Sequence, residues 1–272
     1  MTQEIATWNP TENLTDLLPD DVYGICIKLS GGADSSILYY RLCKELSLQG
    51  RDIPIYVATL DCETKPWYSH YAKKVIEFTA QRTGIRPVEH NIVYLPLPWD
   101  GDTYVQVQDE CAYKSFRDGN TNVWFGGLTQ NPIPEVQANG ALGVEGIKFN
   151  TLEEILPECQ HESDSSRNNN ADKYIRTFNY KIFDNKYSIY AIHPFMHRDK
   201  RASTAQMYKD NDVLDSLFPL TYSCETTYGH KFTNTESKTQ LNTLIKPDIY
   251  EEEHCGRCWF CLERAYAFGR LT

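Results

Sequence analysis

The sequence predicts an α/β fold, doubly wound about a mostly parallel five-stranded sheet, with a metal-binding lobe at its C-terminal end. Three observations carry this expectation. Strand-like apolar runs alternate with helix-period runs through the first two-thirds of the chain, the order that builds a parallel sheet covered on both faces. A glycine turn, Ser30-Gly31-Gly32-Ala33-Asp34-Ser35-Ser36, stands where the first apolar run gives way to the first amphipathic one. Near the C-terminus, Cys255-Gly256-Arg257-Cys258-Trp259-Phe260-Cys261 places three thiols at successive C-x-x-C spacings.

The elements follow in order. Residues 1–19 contain Pro10 and Pro19 and read as an irregular lead-in. Val22 to Ile27 is apolar enough for a buried first strand, and Ile37 to Leu48 is an amphipathic helix. Ile53 to Leu60 forms a second strand ending at Asp61. Trp67 to Arg82 has helical spacing in Tyr71, Val75 and Phe78, with Gly84 as its stop. Pro87 to Val93 gives a third strand, Asp102 to Arg117 a helix, and Val123 to Phe125 a short fourth strand running into Gly126-Gly127. Leu128 to Phe149, rich in Gly, Asn and Pro, reads as a loop over the site; Glu158 to Asp172 is polar and near low complexity, the pattern of a mobile segment. A hairpin turns at Asp184-Asn185, and its second arm, Tyr187 to Ile192, is the fifth strand. Its aromatic residues fill a core or form the face of a homodimer. Asp199 caps a helix reaching Tyr208. Ligands of such sheets gather beyond the carboxyl ends of the strands, where Ser30, Asp61 and Gly126 all fall.

Composition excludes several classes. The chain has 272 residues, 41% hydrophobic and 24% charged, the balance of a soluble globular protein. No apolar run approaches the roughly 20 residues of a membrane span. Met1-Thr2-Gln3-Glu4-Ile5 has neither a basic region nor an apolar signal core, so a cytoplasmic protein is expected. A formal charge of −10 speaks against broad nucleic-acid binding. Nine cysteines, three of them within seven residues, point to metal binding in a reducing compartment more than to disulfides.

The glycine turn has the chemistry of a phosphate cradle. Two adjacent glycines let an anion approach backbone N–H groups, and Ser35 and Ser36 stand at a helix start with its positive dipole end. Asp34 places a carboxylate where it can help hold Mg2+ beside phosphates. The bland alternative is a Ser/Gly/Asp turn. The run is neither a Walker loop nor G-x-G-x-x-G; it resembles the S-G-G-x-D-S loop of the PP-loop ATP pyrophosphatases, which use ATP to adenylate a substrate oxygen and release pyrophosphate.

For the cysteines, a closed zinc site wants a fourth ligand. Cys224 in Thr221-Tyr222-Ser223-Cys224 is the best candidate, ahead of His230 and of His254, whose neighbour Cys255 is itself a ligand. An iron–sulfur cluster accepts the same four thiolates. Thr-x-Ser-Cys followed by Cys-Gly-x-Cys-x-x-Cys-x-x-Arg, here Thr221 to Cys224 and Cys255 to Arg264, is similar to the zinc-binding end of the 7-cyano-7-deazaguanine synthases. His193-Pro194-Phe195 and the basic start Lys200-Arg201 resemble that family's fifth strand and following helix.

The resemblance implies a PP-loop, Rossmann-like ATP-binding domain over residues 1–210 and a zinc-binding lobe over 211–272 packed on it. It implies a ligase that adenylates the carboxylate of 7-carboxy-7-deazaguanine for attack by ammonia, giving an amide and then a nitrile. Carried over, Ser30, Gly31, Gly32, Asp34, Ser35 and Ser36 hold the pyrophosphate end of ATP, with Asp61, Gly126 and Gly127 completing the nucleotide site. Lys200 and Arg201 join Asp34 in meeting phosphate charge, and Cys224, Cys255, Cys258 and Cys261 hold Zn2+. The partners are a small-molecule substrate and free ammonia or a separate nitrogen donor, since no glutaminase segment is apparent. The chain departs from the family after the second strand, where Leu60-Asp61-Cys62-Glu63-Thr64-Lys65-Pro66 replaces Phe-Asp-Tyr-Gly-Gln-Arg-His, and again in Gly126 to Pro132. Those departures admit a related carboxylate as substrate. Two other readings stand beside the ligase. One is a PP-loop sulfurtransferase or adenylyl-sulfate reductase with Cys62 reactive; the other is a non-catalytic, zinc-stabilised nucleotide-binding protein.

Overall fold

The computed structural model describes residues 9–62, 67–96, 101–160, 175–182, 185–224 and 254–272. The expectations for residues 161–172, for His230 and for the loop between Cys224 and His254 fall on residues outside this set. The chain divides into two compact units, residues 1–132 with 163–222, and residues 133–162 with 223–272. The sequence expectation placed a boundary near residue 210. Residues 133–162 leave the first unit to join the second, and residues 211–222 stay with the first.

The first unit is built on a six-stranded sheet. Its strands are β1 (Ile25–Lys28), β2 (Ile55–Cys62), β3 (Glu89–Leu95), β4 (Val123–Phe125), β5 (Ile175–Ile182) and β6 (Asn185–Ile192), in the order β3-β2-β1-β4-β6-β5. The first five in this order pair in parallel, while β5 lies antiparallel on β6 at the edge. The expected five-stranded sheet is therefore present, and the first arm of the hairpin adds a sixth strand. Helices α1 (Ala33–Gln49), α2 (Tyr68–Thr83) and α3 (Gly101–Arg117) alternate with the strands.

Both faces of the sheet are covered, as the nearly continuous apolar strands require. Cys111, Ala112 and Phe116 of α3 pack against Cys26, Ala58, Trp124 and Ala191 on one face. The alternate residues Ile25, Ile27 and Val57 are buried on the other, the side of α1 and α2. The lead-in is tied down by a buried polar cluster: Arg41 donates to Glu45 at 2.7 Å, and Glu45 accepts the Thr15 N–H at 3.0 Å. Topology reverses between β1 and β4, and the loops leaving those two strands diverge there. In open α/β sheets this switch point opens the ligand crevice.

After β6 the chain makes a π-helical turn, Arg201–Ala205, leading into α6 (Gln206–Asp210). Asp199 caps this stretch as expected, its Oδ1 accepting the Ala202 N–H at 2.8 Å. The second unit contains α4 (Pro134–Ala141), α5 (Leu152–Gln160) and α7 (Trp259–Phe268). Helix α4 corrects the expectation of a continuous loop from Leu128 to Phe149. Proline at the start of a helix gives up an N–H that has no partner there in any case, and Pro134 occupies that position. No helix among the described residues is long and apolar enough to cross a membrane.

Candidate functional site

The loop after β1 folds on itself before α1 begins. The Leu29 N–H donates to the Ala58 carbonyl, and the Thr59 hydroxyl donates back to the Leu29 carbonyl at 2.6 Å, so β2 fixes the approach. Gly31 has φ of +73°, and a Cβ there would meet Tyr71 Cβ at 2.5 Å, so both conformation and space demand glycine. The Ser35 hydroxyl lies 3.2 Å from the Ser30 N–H and 3.1 Å from the Ser30 hydroxyl, drawing the loop into a closed turn. The first N–H groups of α1 have no acceptor within the helix, and a helix start of this kind can receive an anion at its positive dipole end.

The predicted loop residues do not all serve the same purpose. Ser30, Gly32 and Asp34 are half-buried, while Ser36 is fully buried and its hydroxyl donates to the Gly32 carbonyl at 2.7 Å. Ser36 steadies the first helical turn and offers a ligand no open side. Gly127 stands at the end of β4 with its α-carbon against the backbone of Asp34 and Ser35; an added Cβ would lie 3.0 Å from the Ser35 nitrogen. Gly126 is covered by the His193 ring, which meets the Trp124 ring edge-on at 6.0 Å. Asp61 lies one residue inside the end of β2, and its Oδ1 accepts the Ser69 N–H at 2.7 Å in the first turn of α2. Burial raises its pKa and that bond opposes the shift.

Lys200 is brought to the loop, whereas Arg201 is exposed. The Lys200 ammonium lies 3.1 Å from Asp34 Oδ2, with only 3% of its side chain exposed against 18% for Asp34. The Thr204 hydroxyl donates to Asp34 Oδ1 at 2.8 Å, and the Tyr208 hydroxyl donates to the Ala33 carbonyl at 3.1 Å. The Gln130 N–H donates to the Arg198 carbonyl, joining the loop after β4 to the segment that carries Lys200. The Tyr222 N–H donates to the Gly31 carbonyl, and the Tyr222 ring stacks on Tyr71 at 5.0 Å. Sequence reasoning missed Thr204, Tyr208 and Tyr222, which meet the loop across separations that leave no local pattern.

A magnesium ion fits this arrangement. It binds through one or two carboxylates plus phosphate oxygens, and Asp34 offers a hard oxygen at a helix start. The Lys200 ammonium lies against Oδ2, so a magnesium ion there would compete with it.

In the second unit the four predicted cysteines converge. The Sγ atoms of Cys224, Cys255, Cys258 and Cys261 all lie within 4.8 Å of one another. Cys255 and Cys261 are 3.8 Å apart, as are Cys224 and Cys258. A tetrahedral Zn–S bond of ~2.3 Å gives S···S edges of about 3.8 Å, so the two shortest edges match the ligand spacing of a single tetrahedral metal ion. In a four-iron cluster each thiolate takes its own iron, which spreads the sulfurs beyond a single-ion edge. Backbone N–H groups of Cys255, Arg257 and Cys258 point at the sulfurs at 3.2–3.4 Å, giving the charge-assisted bonds thiolates want. Hydrogen bonding with Cys224, and then with the other two cysteines, splits the thiols: Cys255 is pushed down and Cys258 and Cys261 are pushed up. Four thiols this close could hold a metal ion once deprotonated.

The turn that presents them depends on Gly256, whose φ is +68° and whose added Cβ would lie 1.9 Å from the Gly146 carbonyl oxygen. His254 stands beside the set, with Nδ1 3.9 Å from Cys261 Sγ, and burial pushes its pKa down to about 3. Arg264, fully buried, donates to the Leu271 carbonyl at 2.7 Å and reaches the Ser223 hydroxyl beside Cys224.

All nine cysteines are free thiols. Cys62, the candidate reactive thiol, is fully buried with Leu60 and Leu95. That is the setting of a packing residue; reactive thiols are partly exposed in electropositive surroundings.

No protein-family model and no curated relative matches the chain. Among solved structures, the chain is similar to the U34-tRNA thiolase NcsA from Methanococcus maripaludis with its [4Fe-4S] cluster, at 12% identity. The match covers 93% of this chain and 73% of that one with a TM-score of 0.42, a likeness too slight to carry an argument.

Proposed function

We propose that the chain is a PP-loop ATP pyrophosphatase that adenylates a carboxylate, 7-carboxy-7-deazaguanine or a relative, for attack by ammonia. The observation that carries this reading is the Ser30–Ser36 loop at the topological switch point, with the buried Lys200 on Asp34. A loop that served only to turn the chain would not need a buried cation on its carboxylate.

In this reading the backbone N–H groups at the start of α1 receive the pyrophosphate end of ATP, and Gly32 and Gly127 keep side chains out of its path. Magnesium, held at Asp34, supplies charge neutralisation for the departing pyrophosphate. The substrate carboxylate oxygen bonds to the α-phosphorus as the bond to pyrophosphate breaks. Ammonia then attacks the acyl carbon, and AMP leaves with the electron pair, giving an amide. A second activation, of the amide oxygen, gives the nitrile on loss of AMP. No protein nucleophile is required, so alignment and charge stabilisation carry the catalysis. Lys200 sets the positive charge of the site, while Arg201 lies at the surface. Zinc on Cys224, Cys255, Cys258 and Cys261 is structural, a closed four-thiolate site with no open position for substrate.

The burial of Cys62 weighs against sulfur transfer through that residue. The test is to offer 7-carboxy-7-deazaguanine, ammonia and ATP·Mg2+ and to follow amide and nitrile by mass spectrometry. Either product supports the reading; ATP turnover dependent on a sulfur donor, with neither product, overturns it.

A further inference from the structure

The contacts of Asp34 carry an inference about how the site is loaded, resting on the ATP-binding role given to this loop. The two carboxylate oxygens are treated differently. Oδ1 accepts the hydroxyl of Thr204 at 2.8 Å, and Thr204 is fully buried. Oδ2 faces the Lys200 ammonium at 3.1 Å. Both partners come from one short stretch, because the π-helical turn Arg201–Ala205 is framed by the Ala205 N–H donating to the Lys200 carbonyl at 2.9 Å. Such widened turns recur at functional sites.

The two contacts differ in permanence. A neutral hydroxyl bond on one oxygen leaves the carboxylate its charge and its second oxygen, so Thr204 can stay in place while Asp34 binds a cation. An ammonium and a divalent cation compete for the negative charge of Oδ2. An uncompensated carboxylate would also repel the triphosphate, and Lys200 removes that repulsion.

We propose that Thr204 is the positioning residue that aims Asp34 at magnesium, and that Lys200 is a place-holding cation which keeps Oδ2 neutralised until magnesium arrives with ATP. Thr204 sets which oxygen is offered; Lys200 sets how much magnesium is needed to claim it.

Calorimetric titration of ATP across a range of Mg2+ concentrations, and in EDTA, separates these roles without reference to turnover. In the parent chain Mg2+ should strengthen ATP binding. Thr204→Val, nearly isosteric, should raise the Mg2+ concentration for half-maximal strengthening about tenfold and leave binding in EDTA unchanged; Thr204→Ser should restore the parent behaviour. Lys200→Met should move the Mg2+ midpoint the opposite way, to lower concentration, while weakening binding in EDTA. A Thr204→Val chain with the parent midpoint, or a Lys200→Met chain that needs more Mg2+, overturns the inference. A parent chain that binds no ATP with or without Mg2+ overturns the ATP-binding reading itself and the inference with it. Circular dichroism reports folding, and because the two variants move the midpoint in opposite directions, general loosening of the loop cannot mimic both.

Discussion

Replacing Asp34 by asparagine tests the ion pair at the heart of the loop. The substitution keeps the shape of the side chain and an oxygen for the Thr204 hydroxyl, and removes only the charge opposite Lys200. Lys200 is almost wholly enclosed, with 3% of its side chain exposed, so solvent cannot replace the lost carboxylate. Breaking a buried pair from one side costs about 3–5 kcal/mol. Asp34 retains 18% exposure, which lets some water reach the pair and places the cost toward the lower bound, about 3 kcal/mol. For a domain of this size each kcal/mol lowers Tm by about 2–4 °C, so Asp34→Asn should melt about 6–12 °C below the parent. Asp34→Asn combined with Lys200→Met removes both charges and should recover most of the loss. Thermal melts of the parent, both single variants and the double variant form a complete cycle. Asp34→Asn melting within about 1 °C of the parent, with no recovery in the double variant, would falsify the buried pair. Asp34→Asn should also lose ATP turnover even at temperatures where it is fully folded.

Three further outcomes are expected. Cys258→Ser should bind substoichiometric zinc, by elemental analysis, and lower the melting temperature of the second unit. The parent should carry about one zinc per chain from its four-thiolate ligand count and lose it as acid protonates the thiolates; metal-free parent protein contradicts this. Ser30→Ala removes a hydroxyl that bonds the Ser35 hydroxyl and accepts the Gly32 N–H, so stability should change by no more than about 2 kcal/mol while AMP formation falls at least tenfold, an outcome refuted by parent rates. His90, half-buried with Nε2 2.7 Å from the Thr59 hydroxyl, has its pKa lowered to about 4, first by burial and then by the Lys73 charge. Its unfolded-state pKa is near 6.5, so its contribution is complete above that pH and is lost as pH falls toward 4. Discounted for partial exposure, the loss is about 1–2 kcal/mol, and His90→Gln should flatten that part of the denaturation profile; an unchanged acid slope counts against it.

The central strands were legible because burial on both faces leaves uninterrupted apolar runs, and the residues that stop those runs mark the turns. Strand β2 nevertheless extends to Cys62, beyond the expected end at Leu60, since Asp61 is held inside by the Ser69 N–H and does not behave as a free polar terminus. Helix α4 escaped because Pro134, Asn139 and Gly140 weigh toward a loop, while its buried face is the small stripe Gln137, Ala138 and Ala141, with little apolar signal. Residues 133–162, which belong to the second unit, carry the same weak signal. The metal centre was nearly complete in the sequence, as thiol spacing constrains ligand geometry directly. The loop was half legible: its glycines and Asp34 declare themselves, but Thr204 meets Asp34 across 170 residues and only the folded chain brings them together. The motif also does not reveal that the fold engages Ser36 with the Gly32 carbonyl and Asp61 with the Ser69 N–H.

The most direct test is the fate of the ATP phosphates. Incubating the chain with ATP labelled in the α-phosphate, Mg2+, ammonia and 7-carboxy-7-deazaguanine, and resolving nucleotides by chromatography while assaying pyrophosphate, distinguishes attack at the α-phosphorus from every other use of ATP. Labelled AMP and pyrophosphate in equal amounts, dependent on the carboxylate and lost in Ser30→Ala, are the predicted result. Label appearing in ADP with release of inorganic phosphate, or no ATP consumption by zinc-replete protein with any planar carboxylate offered, would contradict it.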